Sequence, residues 1–140
     1  MPSDLWLRAI SDLHTFWYRV SGGWIGGRFG RAPILLLTTT GRKTGRKRTT
    51  PLLYYQDGDN AVVIASKGGD PHHPTWYLNL KHDPQAQVQV RSEVRHVLAE
   101  TAGPEERARL WPLITAMYPL YDSYQRRTSR EIPVVVLKPA

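Results

Sequence analysis

Apolar residues recur through the first 22 positions with the spacing of one face of a helix. Intervals of three or four residues separate the main apolar members, which are Trp6, Ile10, Leu13, Trp17 and Val20. Charged side chains fall on the opposite face, so residues 1–22 are predicted to form an amphipathic helix that ends at Gly22 and Gly23. Two interpretations are open: the helix packs on its own domain, or its tryptophans contact a membrane surface or another subunit.

After residue 31 the apolar pattern becomes that of β-strands. The continuous apolar run APILLLTTT, at 32–40, is typical of a strand buried on both faces. Apolar and polar residues alternate in AQVQVR at 86–91, and EVRHVLAETA at 93–102 follows as its antiparallel partner. Three further strands are predicted at 49–56, 60–66 and 132–139. The strands at 32–40, 49–56 and 60–66 are expected to form two hairpins in sequence, the second through a tight turn.

Helical patterns interrupt the strands at two places. A short helix is predicted over 74–83, because Pro74 suits its first turn. A later helix begins near Pro104, and Pro112 is expected to kink or split it. About six mostly antiparallel strands, with an N-terminal, a middle and a late helix, indicate a single α+β domain over 1–140 that is built on a small barrel.

The composition excludes several kinds of site and two kinds of sequence segment. The 140 residues contain no cysteine, which excludes disulfides, thiolate metal sites and a cysteine nucleophile. No apolar run reaches the length of about 18 residues that a membrane span needs. Met1 is also not followed by a segment of signal-peptide type. We therefore expect a cytoplasmic protein, at most peripheral to the inner face of a membrane.

Most of the net charge of +7 is concentrated in one segment, residues 41–48, called here the basic turn. Its five cations are Arg42, Lys43, Arg46, Lys47 and Arg48. Gly41 and Gly45 permit a bent backbone, so main-chain N–H groups can join these side chains around a phosphate or a carboxylate. A solvated run of charge and a nucleic-acid contact loop are the alternatives. A P-loop is excluded, because GRKTGRKR lacks the G-x-x-x-x-G-K-[ST] spacing and no helix follows it.

Two further segments carry polar groups suited to binding a small molecule. In ASKGGDPHHPTWYLNL, Ser66 and Lys67 leave a strand, and two glycines allow close backbone approach ahead of the helix that includes Trp76. An ordinary turn with a core tryptophan is the alternative. In MYPLYDSY, three phenols share one face if the segment is helical, and they are Tyr118, Tyr121 and Tyr124. These tyrosines either pack in the core or line a cleft with phenolic donors.

Metal and hydrolase chemistry have little support in the sequence. The five histidines form neither an H-E-x-x-H motif nor a His-x-His pair. No G-x-S-x-G motif is present to supply a hydrolase nucleophile. We therefore expect no metal site.

The basic turn, the Lys-Gly-Gly segment and the late tyrosines, in this order, resemble the deazaflavin-dependent nitroreductase family. Its members are split β-barrel reductases that use reduced coenzyme F420. The resemblance extends from about residue 30 to 139 and rests on LLTTTGRKTG, ASKGG, P-x-WYLNL and the spacing of the tyrosines before IPVVV. It implies a split β-barrel of the FMN-binding type and an oxidoreductase that acts as a quinone reductase or a nitroreductase.

The resemblance also implies which residues form the site. The implied cofactor-binding positions are Arg42, Lys43, Thr44, Arg48, Ser66, Lys67, Gly68, Gly69, Thr75 and Trp76. The implied catalytic positions are Ser66, Tyr118, Tyr121 and Tyr124. In this family the cations of the turn hold the phosphate and acidic tail of the coenzyme, and the late tyrosines form the wall of the substrate pocket.

The reaction that the resemblance implies is hydride transfer from reduced coenzyme F420 to an electron-poor acceptor such as a quinone or a nitroaromatic. Two other functions stay open: a split-barrel protein that binds FMN, and a nucleic-acid-binding module that uses the basic turn. The second is disfavoured, because no recognition helix or stacking aromatic platform lies beside the turn in the sequence. We therefore expect a small-molecule acceptor and no nucleic-acid partner.

Overall fold

A curled β-sheet forms the framework of the protein. The computed structural model describes residues 28–29 and 32–140, and the helix predicted at 1–22 lies outside them. The strands in the described part are β1 (Arg28–Phe29), β2 (Ala32–Thr40), β3 (Lys47–Leu53), β4 (Tyr55–Asp57), β5 (Asn60–Ile64), β6 (Gln85–Val90), β7 (Glu93–Thr101) and β8 (Val134–Pro139). The helices there are α1 (Thr75–His82), α2 (Pro104–Met117) and α3 (Leu120–Arg126).

Three predicted antiparallel pairings are confirmed. β2 and β3 form a hairpin around the basic turn, in which Thr38 lies opposite Thr49. β4 and β5 form a second hairpin. β6 pairs with β7 along its whole length, from Gln85 opposite Leu98 to Val90 opposite Glu93. The alternation of apolar and polar residues in 86–91 therefore predicted β6 correctly.

The prediction of one strand over 49–56 is wrong, because the chain changes its partner strand at Tyr54. β3 pairs with β2, whereas β4 pairs with β5. The strands pair in the order β1, β2, β6, β7, β8, β5, β4, and β3 also pairs with β2. β3 and β4 therefore lie towards opposite ends of the sheet although one residue separates them in the chain. A sheet whose end strands are joined in this way must curl round, which produces the predicted barrel.

Alternation along the strands divides the core into two parts. Val63 and Val135 pack in a cluster with α1. Their neighbours Val62 and Val136 point to the other face of the sheet, where they pack with α2 and α3. On β2, Leu35, Leu36 and Leu37 are all at most 1% exposed, as expected for a strand buried on both faces.

The late helical segment is divided at a different proline from the one predicted. Pro112 lies within α2 without ending it. Pro112 and Ala108 are both exposed, so water can reach the carbonyl that loses its helical partner. The break comes at Tyr118, whose backbone is extended (φ −131°, ψ 81°), as is favoured for a residue before proline. No helix within the described ranges is long and apolar enough to cross a bilayer.

Tyr118 attaches the late helices to the point where β3 becomes β4. Its hydroxyl donates a hydrogen bond of 2.8 Å to the carbonyl oxygen of Tyr54. The Tyr118 side chain is buried, with 5% exposure. The bond therefore satisfies a main-chain acceptor at the position where the chain leaves one edge of the sheet for the other.

Replacing Tyr118 with Phe is expected to lower the free energy of unfolding by about 1–3 kcal/mol, because it leaves the Tyr54 carbonyl without this partner. Chemical denaturation of the protein without ligands measures the change. The matched control is Tyr124→Phe, in a half-buried side chain, for which we expect a smaller loss. Equal losses in the two variants would contradict the role given to the bond.

Candidate functional site

The basic turn is a tight hairpin connection whose shape depends on its two glycines. The Gly41 N–H donates to the Arg46 carbonyl at 2.7 Å, and the Gly45 N–H donates to the Gly41 carbonyl at 2.8 Å. Gly45 has a φ of +73°, which disfavours other residues. A Cβ at Gly41 would lie 3.0 Å from the Arg46 carbonyl oxygen. The bent backbone predicted from the sequence is therefore present.

The cations of the basic turn have no carboxylate partner among residues 33–140. The ion pairs of this part of the chain all lie elsewhere. Lys47 instead donates to the Thr40 hydroxyl at 2.9 Å. Lys43 and Arg46 are exposed, and Arg42 and Arg48 are half-buried. A concentration of positive charge that carboxylates do not neutralise attracts an anionic ligand.

Asn79, on α1, fixes the basic turn to the core, and the sequence analysis did not identify it. Its Oδ1 accepts from the Arg42 main-chain N–H at 3.1 Å, and its Nδ2 donates to the Thr39 hydroxyl at 3.2 Å. Asn79 is only 2% exposed. A sequence signal existed, because Asn79 lies three residues after Trp76 and so shares the apolar face of the helix.

The β5–α1 loop, residues 65–74, turns sharply through three successive residues with positive φ. These are Lys67 (+45°), Gly68 (+63°) and Gly69 (+83°). A Cβ at Gly69 would lie 2.8 Å from the Tyr124 carbonyl oxygen, which no neighbouring backbone could accommodate. The loop therefore packs directly against α3.

Arg130, which follows α3, was also missed by the sequence analysis. Its guanidinium donates to the carbonyl oxygens of Ala65 at 3.2 Å, Ser66 at 2.9 Å and Asp70 at 2.9 Å. Nη1 of Arg130 lies 3.1 Å from Nδ1 of His73. No local pattern in the sequence marks this arginine, since its partners lie 57 to 65 residues earlier in the chain.

The three tyrosines form a continuous row of rings, although the helix predicted to carry them is broken. Tyr118 follows the end of α2, whereas Tyr121 and Tyr124 lie on α3. Neighbouring ring centroids are 5.9 and 6.1 Å apart, in edge-to-face contact. Burial, followed by the proximity of the other two phenols, raises the pKa of Tyr121, whose hydroxyl therefore stays protonated at neutral pH.

The start of α1 presents one exposed and one buried residue. Thr75 is exposed, whereas Trp76 is 7% exposed and packs in the core with Leu35 and Leu37. The side chain of Trp76 thus follows the alternative interpretation, a core tryptophan. In the sequence, Trp76 nevertheless lies between the β5–α1 loop and Asn79, and Asn79 contacts the basic turn.

Two helices each contact one of the predicted segments. Asn79 joins α1 to the basic turn, and Gly69 and Tyr124 join the β5–α1 loop to α3. The basic turn offers cationic hydrogen-bond donors, and α3 offers tyrosine hydroxyls. The sharply bent β5–α1 loop lies between these two segments in the chain. Such a set fits a ligand with a polyanionic part and a planar, polar part.

Replacing Asn79 with Ala is expected to lower the free energy of unfolding by about 1–3 kcal/mol, because it leaves the buried Thr39 hydroxyl and the Arg42 N–H without partners. Urea denaturation measures the loss. Lys81→Ala, an exposed position on the same helix, is the control and is expected to change stability by less than about 0.5 kcal/mol. A loss no larger than that of the control would show that Asn79 does not anchor the turn.

Acidification is expected to destabilise the fold through His73. Burial lowers its pKa below the ordinary 6.5, and Arg130 and Lys81 lower it further. An arginine can only donate, so Nδ1 of His73 must accept and the ring must be neutral. Below pH 6.5 the unfolded chain then binds more protons than the folded one. The free energy of unfolding therefore decreases as the pH falls from this value through the folded pKa.

Denaturation curves between pH 7.5 and 5 measure this effect when the wild type is compared with His73→Asn. Asparagine keeps an acceptor close to the position of Nδ1 and does not titrate, so the variant is expected to have a flatter pH dependence. His82→Asn, at an exposed position, serves as the control. The same slope in His73→Asn as in the wild type would contradict the assignment.

Comparisons with known proteins identify the family of this chain. The family model for F420H(2)-dependent quinone reductase matches residues 10–139. The F420H(2)-dependent quinone reductase Rv1261c of Mycobacterium tuberculosis is 47% identical over 129 residues, which are 89% of this chain and 87% of that protein.

Solved structures give the same result. A structure of the F420-H2 dependent reductase FDR-A is 43% identical, with a TM-score of 0.70 over 76% of this chain and 94% of the other. A second structure, described as a domain-swapped dimer, is 37% identical, with a TM-score of 0.73 over 99% of this chain and 100% of the other. The protein therefore belongs to the F420H(2)-dependent quinone reductase family.

Proposed function

We propose that this protein is an oxidoreductase that uses reduced coenzyme F420 to reduce a quinone. Membership of the family supports the reaction class. The observation that carries the cofactor assignment is the basic turn, in which Arg42, Lys43 and Arg48 have no carboxylate partner among the described residues. Asn79 anchors the turn through the main-chain N–H of Arg42. The coenzyme carries a phosphodiester and several glutamate carboxylates, which match these cations.

The basic turn can supply enough binding free energy for this role. In the proposed complex, Arg42, Lys43, Thr44 and Arg48 hold the phosphate and the acidic tail. A charge-assisted hydrogen bond is worth roughly 1.5–3 kcal/mol, so four give about 6–12 kcal/mol before the cost of association is subtracted. A micromolar dissociation constant corresponds to about −8 kcal/mol and is within reach.

The β5–α1 loop and the start of α1 complete the proposed cofactor site. Lys67 adds a further cation, and its left-handed backbone directs the side chain differently from an ordinary strand residue. Gly68 is exposed and leaves its main chain open to close approach, and Gly69, buried against α3, is proposed to support the shape of the loop at the cofactor. Thr75 offers an exposed hydroxyl at the first turn of α1, next to Trp76.

The bound coenzyme supplies the hydride, and the side chains of the protein orient the acceptor and donate hydrogen bonds to it. Ser66 and Tyr121, which are 8% and 6% exposed, are proposed for this role together with the half-buried Tyr124. The raised pKa of Tyr121 keeps its hydroxyl a donor. Tyr118 is a less direct candidate, because its hydrogen is already donated to Tyr54.

A quinone is the proposed acceptor, and a nitroaromatic is a second electron-poor compound that the same reaction would reduce. We also propose a single domain over 1–140 and a cytoplasmic location. Contact of residues 1–22 with a membrane surface stays a prediction of the sequence, since that segment lies outside the described residues.

Mixing the purified protein with reduced coenzyme F420 and menadione is expected to oxidise the coenzyme faster than the same mixture without protein. FMN and NADPH, tested as replacements for the coenzyme, are expected to give no comparable rate. A protein that leaves the coenzyme reduced, or that binds FMN more tightly, would overturn the proposed function.

Neutralising the basic turn is expected to weaken coenzyme binding roughly 100-fold, equivalent to about 2.7 kcal/mol. The test variant combines Arg42→Gln, Lys43→Gln and Arg48→Gln. A control with the same change of net charge combines Lys81→Gln, Arg95→Gln and Arg126→Gln, all at exposed positions outside the turn. Titration measures the dissociation constant of the coenzyme for both variants. The comparison separates binding at the basic turn from the general attraction of an anion to a positively charged protein. Equal losses in the two variants would argue against a specific anion site.

A further inference from the structure

One guanidinium closes the β5–α1 loop from both of its ends. We propose that Arg130 is a positioning residue for the cofactor: by holding the two ends of this loop, it fixes where Ser66 and Lys67 face the bound coenzyme. This inference rests on the proposed function, and it concerns a residue that follows α3 and lies far from the basic turn in the chain.

All three nitrogen atoms of the guanidinium have partners in the loop. Nη2 donates to the carbonyls of Ala65 at 3.2 Å and Ser66 at 2.9 Å, where the chain leaves β5. Nε donates to the Asp70 carbonyl at 2.9 Å, and Nη1 lies 3.1 Å from Nδ1 of His73, just before α1. The planar guanidinium of an arginine directs donors to several acceptors at once. A lysine ammonium is a compact charge and cannot reach all of these acceptors in the same way.

The acceptors at the start of the loop need such a partner. β5 ends at Ile64, and Ala65 makes one further sheet-like bond, from its N–H to the Pro133 carbonyl at 3.0 Å. Ala65 and Ser66 are buried, with 0% and 8% exposure. Buried main-chain carbonyls are costly when they lack a donor. Arg130 provides that donor for the Ala65 carbonyl, and at the Ser66 carbonyl it adds a second donor alongside the Gly69 N–H, which lies at 2.9 Å.

The bonds from Arg130 also bracket the strained part of the loop. Lys67 has a φ of +45°, a conformation that a residue with a side chain adopts only when its surroundings impose it. Arg130 binds the carbonyl of Ser66 immediately before it and that of Asp70 three residues after it. The direction of the Lys67 side chain therefore depends on a residue that need not touch the ligand.

The test compares Arg130→Lys and Arg130→Gln with the control Arg126→Gln, an exposed arginine at the end of α3. Both Arg130 variants are expected to raise the dissociation constant for coenzyme F420 and its KM at least tenfold. Because Ser66 is also proposed to donate to the acceptor, the kcat and the KM for menadione are expected to change as well, but by a smaller factor than the dissociation constant for coenzyme F420. Arg126→Gln is expected to behave as the wild type. An Arg130→Lys variant that binds the coenzyme within twofold of the wild type would overturn the inference.

A second pair of variants decides the matter if the Arg130 variants do not fold. His73→Asn keeps an acceptor for Nη1, whereas His73→Leu removes it without much change in size. His73→Leu is expected to bind the coenzyme at least threefold more weakly than His73→Asn, and equal affinities would overturn the inference. A wild-type protein that neither binds nor oxidises the reduced coenzyme would instead contradict the proposed function, and the role of Arg130 with it.

Discussion

Mutual repulsion among the cations of the basic turn is the constraint around which the site is built. Two unit charges 4 Å apart repel by about 1 kcal/mol even in bulk water, and by more near a protein surface. The pairing of β2 with β3, which places Thr40 opposite Lys47, keeps the cations together regardless. Asn79 accepts a hydrogen bond from the main-chain N–H of Arg42. The folded chain thus maintains a concentration of positive charge that a multiply negative ligand would relieve.

The curled sheet carries all the segments of the proposed site on one framework. Because β3 and β4 are joined at Tyr54 yet lie at opposite ends of the sheet, the sheet closes on itself and presents two packed faces. α1 covers one face and contacts the basic turn. α2 and α3 cover the other face, and α3 contacts the β5–α1 loop at Gly69. Anion-binding and phenolic groups are therefore contributed from both sides of one framework.

Patterns in the sequence predicted the elements whose conformation depends on residues that are close together in the chain. Alternation identified β6 and β7, and Gly41 and Gly45 identified the bent turn. The partner change at Tyr54 could not be read in this way, because the residues on both sides of it favour a strand equally. Asn79 and Arg130 act on partners 37 to 65 residues away, which only the folded chain brings near. Pro112 does not split the helix, because water can reach the exposed carbonyl that loses its helical partner there.

Capture of the coenzyme by its acidic tail can be measured by titrating the protein with whole coenzyme F420 and with the bare deazaflavin chromophore that lacks the phosphodiester and the glutamates. If the basic turn provides most of the binding free energy, the bare chromophore is expected to bind at least 100-fold more weakly, and the difference is expected to shrink as salt screens the charges. Equal affinities for the two molecules at low salt would contradict this mode of binding.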